Sequence, residues 1–448
     1  MDIRKIGEDT VKKAVKAGAH EAEVCLETVK SFNVTVRNGE VESLKTSTAT
    51  GLGLRVFIDR QYAFSYTSDL SAAAIEDAVK RTVDMARMTE AKPWNGLPDF
   101  GPQKPPDLDT FDPGMEAVPG EKKIAMAREV EKIALASDER ITNSYGGSFS
   151  NGMREGGIFN SKGVSCLLKE TQCSFSVSVI AGEGAGMQGG GWSSAKRYFK
   201  DLDPVEEVAR TAVERTTAML GARPTATVRV PVVFDRYAAS SFWAGILSAL
   251  NGDAAFRKTT FMAEMLGQPI ASPLINLVDD PTIPRHIASM PFDGEGKVAQ
   301  KNTVIDKGVL KMFFYDSQTA RKAGVKTPTI ARRGGYKSGP FAGYLNIIVR
   351  NGANKPEDLF KDMKQGLWVH GMRGAGTDAT TGSFSVGVSG FWIEDGKPVH
   401  PVDGVTLGGT TRDILQAIDL VADDLDMRGG LSSPSFRVAE ITVGGKKG

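Results

Sequence analysis

Histidine and cysteine are scarce in this chain, and their scarcity removes a good deal of chemistry at the outset. Four histidines, His20, His286, His370 and His400, are spread over 448 residues. No two lie within one or two helical turns, so no local pair can seat a metal on one helix face. The three cysteines, Cys25, Cys166 and Cys173, include no C-x-x-C and make no disulfide framework. Free thiols in a reducing, cytoplasmic compartment are the expectation. No apolar run approaches the length of a membrane span. The N-terminal "MDIRKIGEDTVKKAVKAG" has the period of an amphipathic helix and lacks the apolar core of a signal peptide. With 55 basic and 54 acidic residues the net charge is +1, which leaves no electrostatic footprint for nucleic acid or an anionic membrane.

Motifs for nucleophilic or cofactor chemistry are equally thin. There is no G-x-S-x-G elbow and no G-K-[ST]. The stretch "GEGAGMQGGGWSS" contains G-x-G-x-x-G at Gly184, Gly186 and Gly189, but no apolar helical period follows it. A dinucleotide site needs a helix to open there, so the expectation is a glycine-rich connection. The acidic pairs Asp279-Asp280 and Asp423-Asp424 are read as loop or helix-end carboxylates.

What the chain does contain is a long alternation of strand and helix signals. Its length exceeds one core and implies two domains. Helices are expected at Ser71–Met88, Glu121–Ala136 and Pro204–Leu220, and a further one over "RDILQAIDLVADDL". Hairpins are expected at Asn38-Gly39, Asp59-Arg60, Lys307-Gly308 and Asp395-Gly396. Fifty glycines concentrated in turns between strands favour an α+β fold with antiparallel sheets. The expected organisation is an N-terminal α/β domain at 1–222, with helices on a mostly antiparallel sheet, and a C-terminal β-rich domain at 223–448. Seven of the 21 prolines fall between Pro93 and Pro119, which marks 92–119 as an irregular linker or surface wrap. The second half opens with "DRYAASSFWAGILSALNGD", a helix that between Tyr237 and Asp253 holds no Lys, Arg, Glu or His. Such a helix is normally buried.

Four stretches in order, "GLGLRVFIDRQYAFSYTSDLS", "NTVIDKGVLKMFFYDSQTARKAG", "TGSFSVGVSGFWIEDGKPVHPV" and "SPSFRVAEITVGG", resemble the TldD/PmbA family of peptidases over essentially the whole chain. The resemblance implies a dimer enclosing a chamber for unfolded peptides, with zinc-dependent cleavage in the cytoplasm. In the TldD branch a helix carries H-E-x-x-x-H, with two histidine ligands and a glutamate general base, and a Cys near the C-terminus completes the site. Here the helix at 235–251 aligns with that motif, and Trp243, Ala244 and Ser248 stand at its three positions. The segment between "DDLDM" and "SPSF" holds no Cys. The resemblance is therefore to the PmbA (TldE) branch: a subunit without zinc or catalytic residues of its own, partnering a zinc-bearing TldD-type chain. Expected chamber residues are Gly374, Gly376, Thr377 and Asp378 in a Gly-rich turn, and Ser383, Phe384 and Ser385 on the strand that follows. The competing reading of those glycines is that they only serve tight turns. Two other functions stay open from the sequence. One is a self-sufficient homodimeric hydrolase with a metal held by His370, His400 and loop carboxylates. The other is a regulatory protein associated with a topoisomerase.

Overall fold

The structure is a computed structural model and describes residues 2–326, 328 and 330–445. It is α+β, with antiparallel sheets throughout apart from two parallel pairings in the second half. Residues 21–196 build one long antiparallel sheet of six strands. These are β1 (Glu21–Arg37), β2 (Glu40–Ile58), β3 (Gln61–Thr67), β4 (Ile141–Asn160), β5 (Ser165–Ala181) and β6 (Gln188–Lys196), in the order β3-β2-β1-β4-β5-β6. The β1–β2 turn has Asn38 at φ 52° and Gly39 at φ 76°, the paired positive values that match a two-residue turn to the twist of its strands. Asp59 and Arg60 do the same without a glycine.

Side-chain alternation divides the sheet sharply. On one face Val24, Leu26, Val34 and Val36 of β1 join Phe149 and Phe159 of β4 and the odd-numbered residues Cys173 to Val179 of β5. Four helices cover that face: α1 (Ile3–Lys16) and α2 (Ala72–Arg87) at the β1–β3 side, α3 (Gly120–Ala136) and α4 (Val205–Thr217) at the β4–β6 side. The opposite face carries Glu23, Cys25 and Glu27 on β1, Arg154 on β4, and Glu170 and Gln172 on β5. It turns toward the second half of the chain.

The second half contains two larger sheets and a two-stranded one, Ala331–Arg332 with Phe341–Ala342. The larger runs Lys397–Thr410, Ser383–Glu394, Gln365–Met372, β7 (Val228–Phe234), Phe436–Gly444, Ile418–Val421. Thr406 to Gly408 also pair with Thr442 to Gly444, so five of these strands close on themselves. The smaller sheet has five strands and ends at Ile347–Val349 and Leu431–Ser432. Helix α5 (Arg236–Ala249) follows β7 directly and packs into the core shared by these sheets.

One expectation changes and another narrows. "RDILQAIDLVADDL" is a helix only over Thr411–Gln416; Ile418–Val421 is a strand, because its residues pair with Phe436, Arg437 and Val438. The ladder overrides helical periodicity there. The Pro-rich stretch is a wrap tied down at both ends. Arg321 donates to the carbonyls of Trp94, Gly96 and Leu97, Thr171 N–H donates to Thr110 O, and Leu97 and Met115 are buried.

Candidate functional site

Helix α5 starts because Asp235, at its N-cap, accepts hydrogen bonds from Tyr237 N–H at 3.0 Å and Ala238 N–H at 2.7 Å. Burial pushes the Asp235 carboxyl up, and Arg215 of α4, 3.4 Å away, opposes that shift. The apolar positions of the helix then decide what faces inward. Phe242 packs among Phe234, Phe384 and Phe436 in tilted and edge-on contacts at centroid distances of 5.3, 5.6 and 5.3 Å. Trp243 is 0% exposed against Phe242 and Phe436, and its indole N–H has no hydrogen-bond partner. The other two aligned positions differ from the expectation of a helix buried all round. Ser248 is exposed and Ala244 half-buried; with Ser241 they form a narrow open strip at spacings of three and four residues. That strip offers methyl groups and hydroxyls. Ser248 Oγ turns back to donate to Gly245 O at 2.6 Å. Among the described residues no three His, Cys, Asp or Glu side chains gather so as to hold a metal ion. The residues on this helix do not fit zinc.

The Gly-rich turn lies directly on α5. A Cβ on Gly245 would stand 2.7 Å from Ala375 O and 3.0 Å from Thr377 Cβ. Thr377 also bonds Thr411 at 3.2 Å. Gly374 and Gly376 have φ of 116° and 80°, so both answer a backbone demand. Asp378 closes the turn by accepting from Thr380 and Thr381 N–H at 2.8 and 2.9 Å; those bonds hold its carboxyl below the usual range. Ser383 and Ser385 point outward, but Phe384 is 1% exposed and belongs to the aromatic core around Phe242. Phe384 is thus a core residue, because strand alternation sends it to the opposite face from its serine neighbours. Nor is its strand open to an added peptide. It pairs with Lys397–Thr410 on one edge, and Ser385 N–H donates to Gly376 O on the other.

His370 and His400 are not brought together. Residue 400 pairs with Trp392, which pairs with Leu367, so a whole strand separates the two histidines. His370 sits between Trp368 and Phe391 at 4.1 and 4.9 Å, with no partner for Nε2. Burial, reinforced by Arg215, pulls its pKa down to about 3.

The face of the first sheet opposite the helices meets the second half around a buried ionic cluster. Arg55 donates to both oxygens of Glu23 at 2.7 Å, Arg333 bonds the same carboxylate, and Glu295 lies 3.5 Å from Arg55. Burial alone would raise the Glu23 carboxyl, but the two guanidinium groups hold it below its ordinary value. Burial and the neighbouring Glu295 push the Asp293 carboxyl up. Beside this cluster a cavity of about 600 Å³ opens between β1, β4 and β5 and the loops of the second half. Five arginines and three acidic residues line it, together with Gly429 and Gly430. The signal for this site was the period-2 placement of charge in "EAEVCLE" and "LLKETQ", which composition totals conceal.

The comparisons with known proteins agree with this architecture. Three family models match in succession: PmbA/TldA metallopeptidase domain 1 over residues 22–86, the central domain over 114–220, and the C-terminal domain over 227–445. The first two correspond to the two halves of one continuous sheet, strands β1–β3 and β4–β6. The chain belongs to the PmbA/TldD metallopeptidase family. It is 31% identical over 448 residues to the metalloprotease PmbA of Escherichia coli O157:H7, covering 99% of this chain and 97% of that one. A solved structure from Bacteroides thetaiotaomicron, described as that of a modulator of a DNA gyrase, superposes with a TM-score of 0.90 at 27% identity, covering 99% of each chain. TldE from Thermococcus kodakarensis superposes with a TM-score of 0.88 at 21% identity, covering 98% of this chain and 99% of that one, and shares the fold.

Proposed function

We propose that this chain is the non-catalytic, TldE-like subunit of a two-chain zinc peptidase acting on unfolded peptides. The observation that carries this reading is the state of helix α5. Of the three positions aligned with the zinc motif, Trp243 is locked in an aromatic core, and Ala244 and Ser248 have neither a metal ligand nor a base to offer. The Leu431–Ser432 strand, expected to bring a cysteine ligand, packs near this helix with leucine and serine instead. The chain's contribution is then to position substrate and complete a chamber, while chemistry resides on a partner of the TldD type.

A surface for such pairing is available. Residues 40–50 of β2 pair only with β1, since β3 begins its pairing at Leu52, and residues 40–49 are exposed on both faces. An unpaired strand edge of that length supports strand addition, by a partner or by an extended peptide. The reading is tested by size-exclusion chromatography of this chain with a TldD-type subunit and by elemental analysis of the separated chains. A complex with metal only on the partner supports it. About one zinc per chain retained by this chain alone after dialysis would overturn it.

A further inference from the structure

The cavity between the first sheet and the loops of the second half has a charge pattern that the ionic cluster beside it does not use up. Of its five arginines, two are bonded through all three of their nitrogens. Arg197 donates to Glu170 at 2.9 Å and to the carbonyls of Thr171, His286 and Ser289. Arg333 donates to Gly294 O, Ser338 O and Glu23. Two more are paired but keep free N–H groups. Arg154 bonds Glu27 at 2.9 Å and lies 3.6 Å from Glu170. Arg428 bonds Asp203, with its guanidinium 4.7 Å from the Trp192 ring centre. Arg332 alone has no ion pair and no side-chain hydrogen bond among the described residues, and it is exposed.

One guanidinium without an ion pair, with two partly free ones on the same cavity, matches a single negative charge. A carboxylate is such a group, and it suits the planar fork of arginine. A dianionic phosphomonoester would meet the carboxylates of Glu27 and Glu170 in the same wall. Ile158, Leu168, Met290 and Phe292 form an apolar cluster on the cavity wall. The volume falls within the range of about 300–1,000 Å³ usual for small-molecule sites. The wall at Arg428–Leu431 runs on into the strand that packs near α5.

We propose that this cavity is a seat for the free C-terminal carboxylate of a peptide, with Arg332, Arg154 and Arg428 around the carboxylate and the apolar wall taking the last side chain. The proposal rests on the reading of this chain as a substrate-positioning subunit.

The test is calorimetric titration of the intact chain with an unstructured tetrapeptide ending in leucine, as the free acid and as the C-terminal amide, with inorganic phosphate as competitor. The free acid should bind about tenfold more tightly than the amide, the loss expected for one charge-assisted pairing. Phosphate should not displace it. Arg332→Gln, at an exposed position, should leave the melting temperature unchanged and bring the acid down to the affinity of the amide; Arg332→Lys should restore part of the difference. Equal affinity for acid and amide, no binding of either, or displacement by phosphate would overturn the carboxylate seat. These outcomes are separable from the parent reading. A mixture with a TldD-type subunit can be active while acid and amide bind alike, and the seat can discriminate while the mixture stays inactive.

Discussion

Restoring the zinc motif by Trp243→His, Ala244→Glu and Ser248→His separates the structural role of helix α5 from any latent catalytic one. The three changes fall in unequal environments. Ala244 and Ser248 lie on the open strip, where substitution usually shifts stability by no more than about 0.5 kcal/mol. Trp243 is fully buried among Phe242 and Phe436. Removing the indole vacates much of its volume, and truncations of buried Trp cost about 3–5 kcal/mol. Imidazole also brings polar atoms into a site where even the indole N–H finds no acceptor. Almost all of the loss should therefore come from Trp243→His alone. Trp243→Phe, which keeps a ring and removes the orphaned N–H, should cost less than about 1.5 kcal/mol. Thermal unfolding of the three single variants, the triple variant and Trp243→Phe, followed by zinc analysis, tests this ordering. A triple variant that melts with the wild type and holds stoichiometric zinc would refute the reasoning, because it would show position 243 free to turn toward a metal.

Other expectations follow from the buried charges and the chain's connections. His370 stays neutral down to about pH 3, whereas the unfolded chain takes up its proton near pH 6.5. Its contribution to stability is thus lost as pH falls from about 6.5, by about 2 kcal/mol at pH 5, and His370→Phe should flatten the acid limb of the melting-temperature profile. Glu23→Gln should destabilise by about 3–5 kcal/mol, since it leaves Arg55 and Arg333 buried without their shared carboxylate; an unchanged urea midpoint would contradict that. Brief digestion with a protease of broad specificity should cut first in 221–227, which is largely exposed, and spare 92–119, which Arg321 and buried Leu97 and Met115 pin down.

Helices α2, α3 and α4 and the hairpin turns were legible because each rests on local signals: a 3.6-residue apolar period, or a turn pair such as Asn38-Gly39. The absence of zinc ligands at Trp243, Ala244 and Ser248 was legible in the same way, since it depends only on residue identity. Which of those positions faces inward was not. The turn at Ala375 and Thr377 packs over Gly245, while Ser241, Ala244 and Ser248 beside it stay open, and helical period alone does not distinguish them. Phe384 was misplaced among the chamber residues for a related reason: alternation gives two faces, and only the partner at Phe242 says which one is buried. The arginine-lined cavity joins residues from 25 to 431. Such a site is created by packing two sheets together: the period-2 charge of "EAEVCLE" and "LLKETQ" marks one wall, and no local spacing announces the other.

The measurement that bears most directly on the central claim is hydrolysis of an unstructured peptide by this chain alone, by a TldD-type subunit, and by the two mixed. Chemistry by zinc, its water and a general base requires those groups within a few ångströms of the scissile carbonyl, and α5 carries none of them. The chain alone should give background rates, and the mixture should be active. Replacing the two motif histidines of the TldD-type subunit should return the mixture to background. Activity that survives that replacement, or that this chain shows unaided, would place the catalyst here and contradict the account.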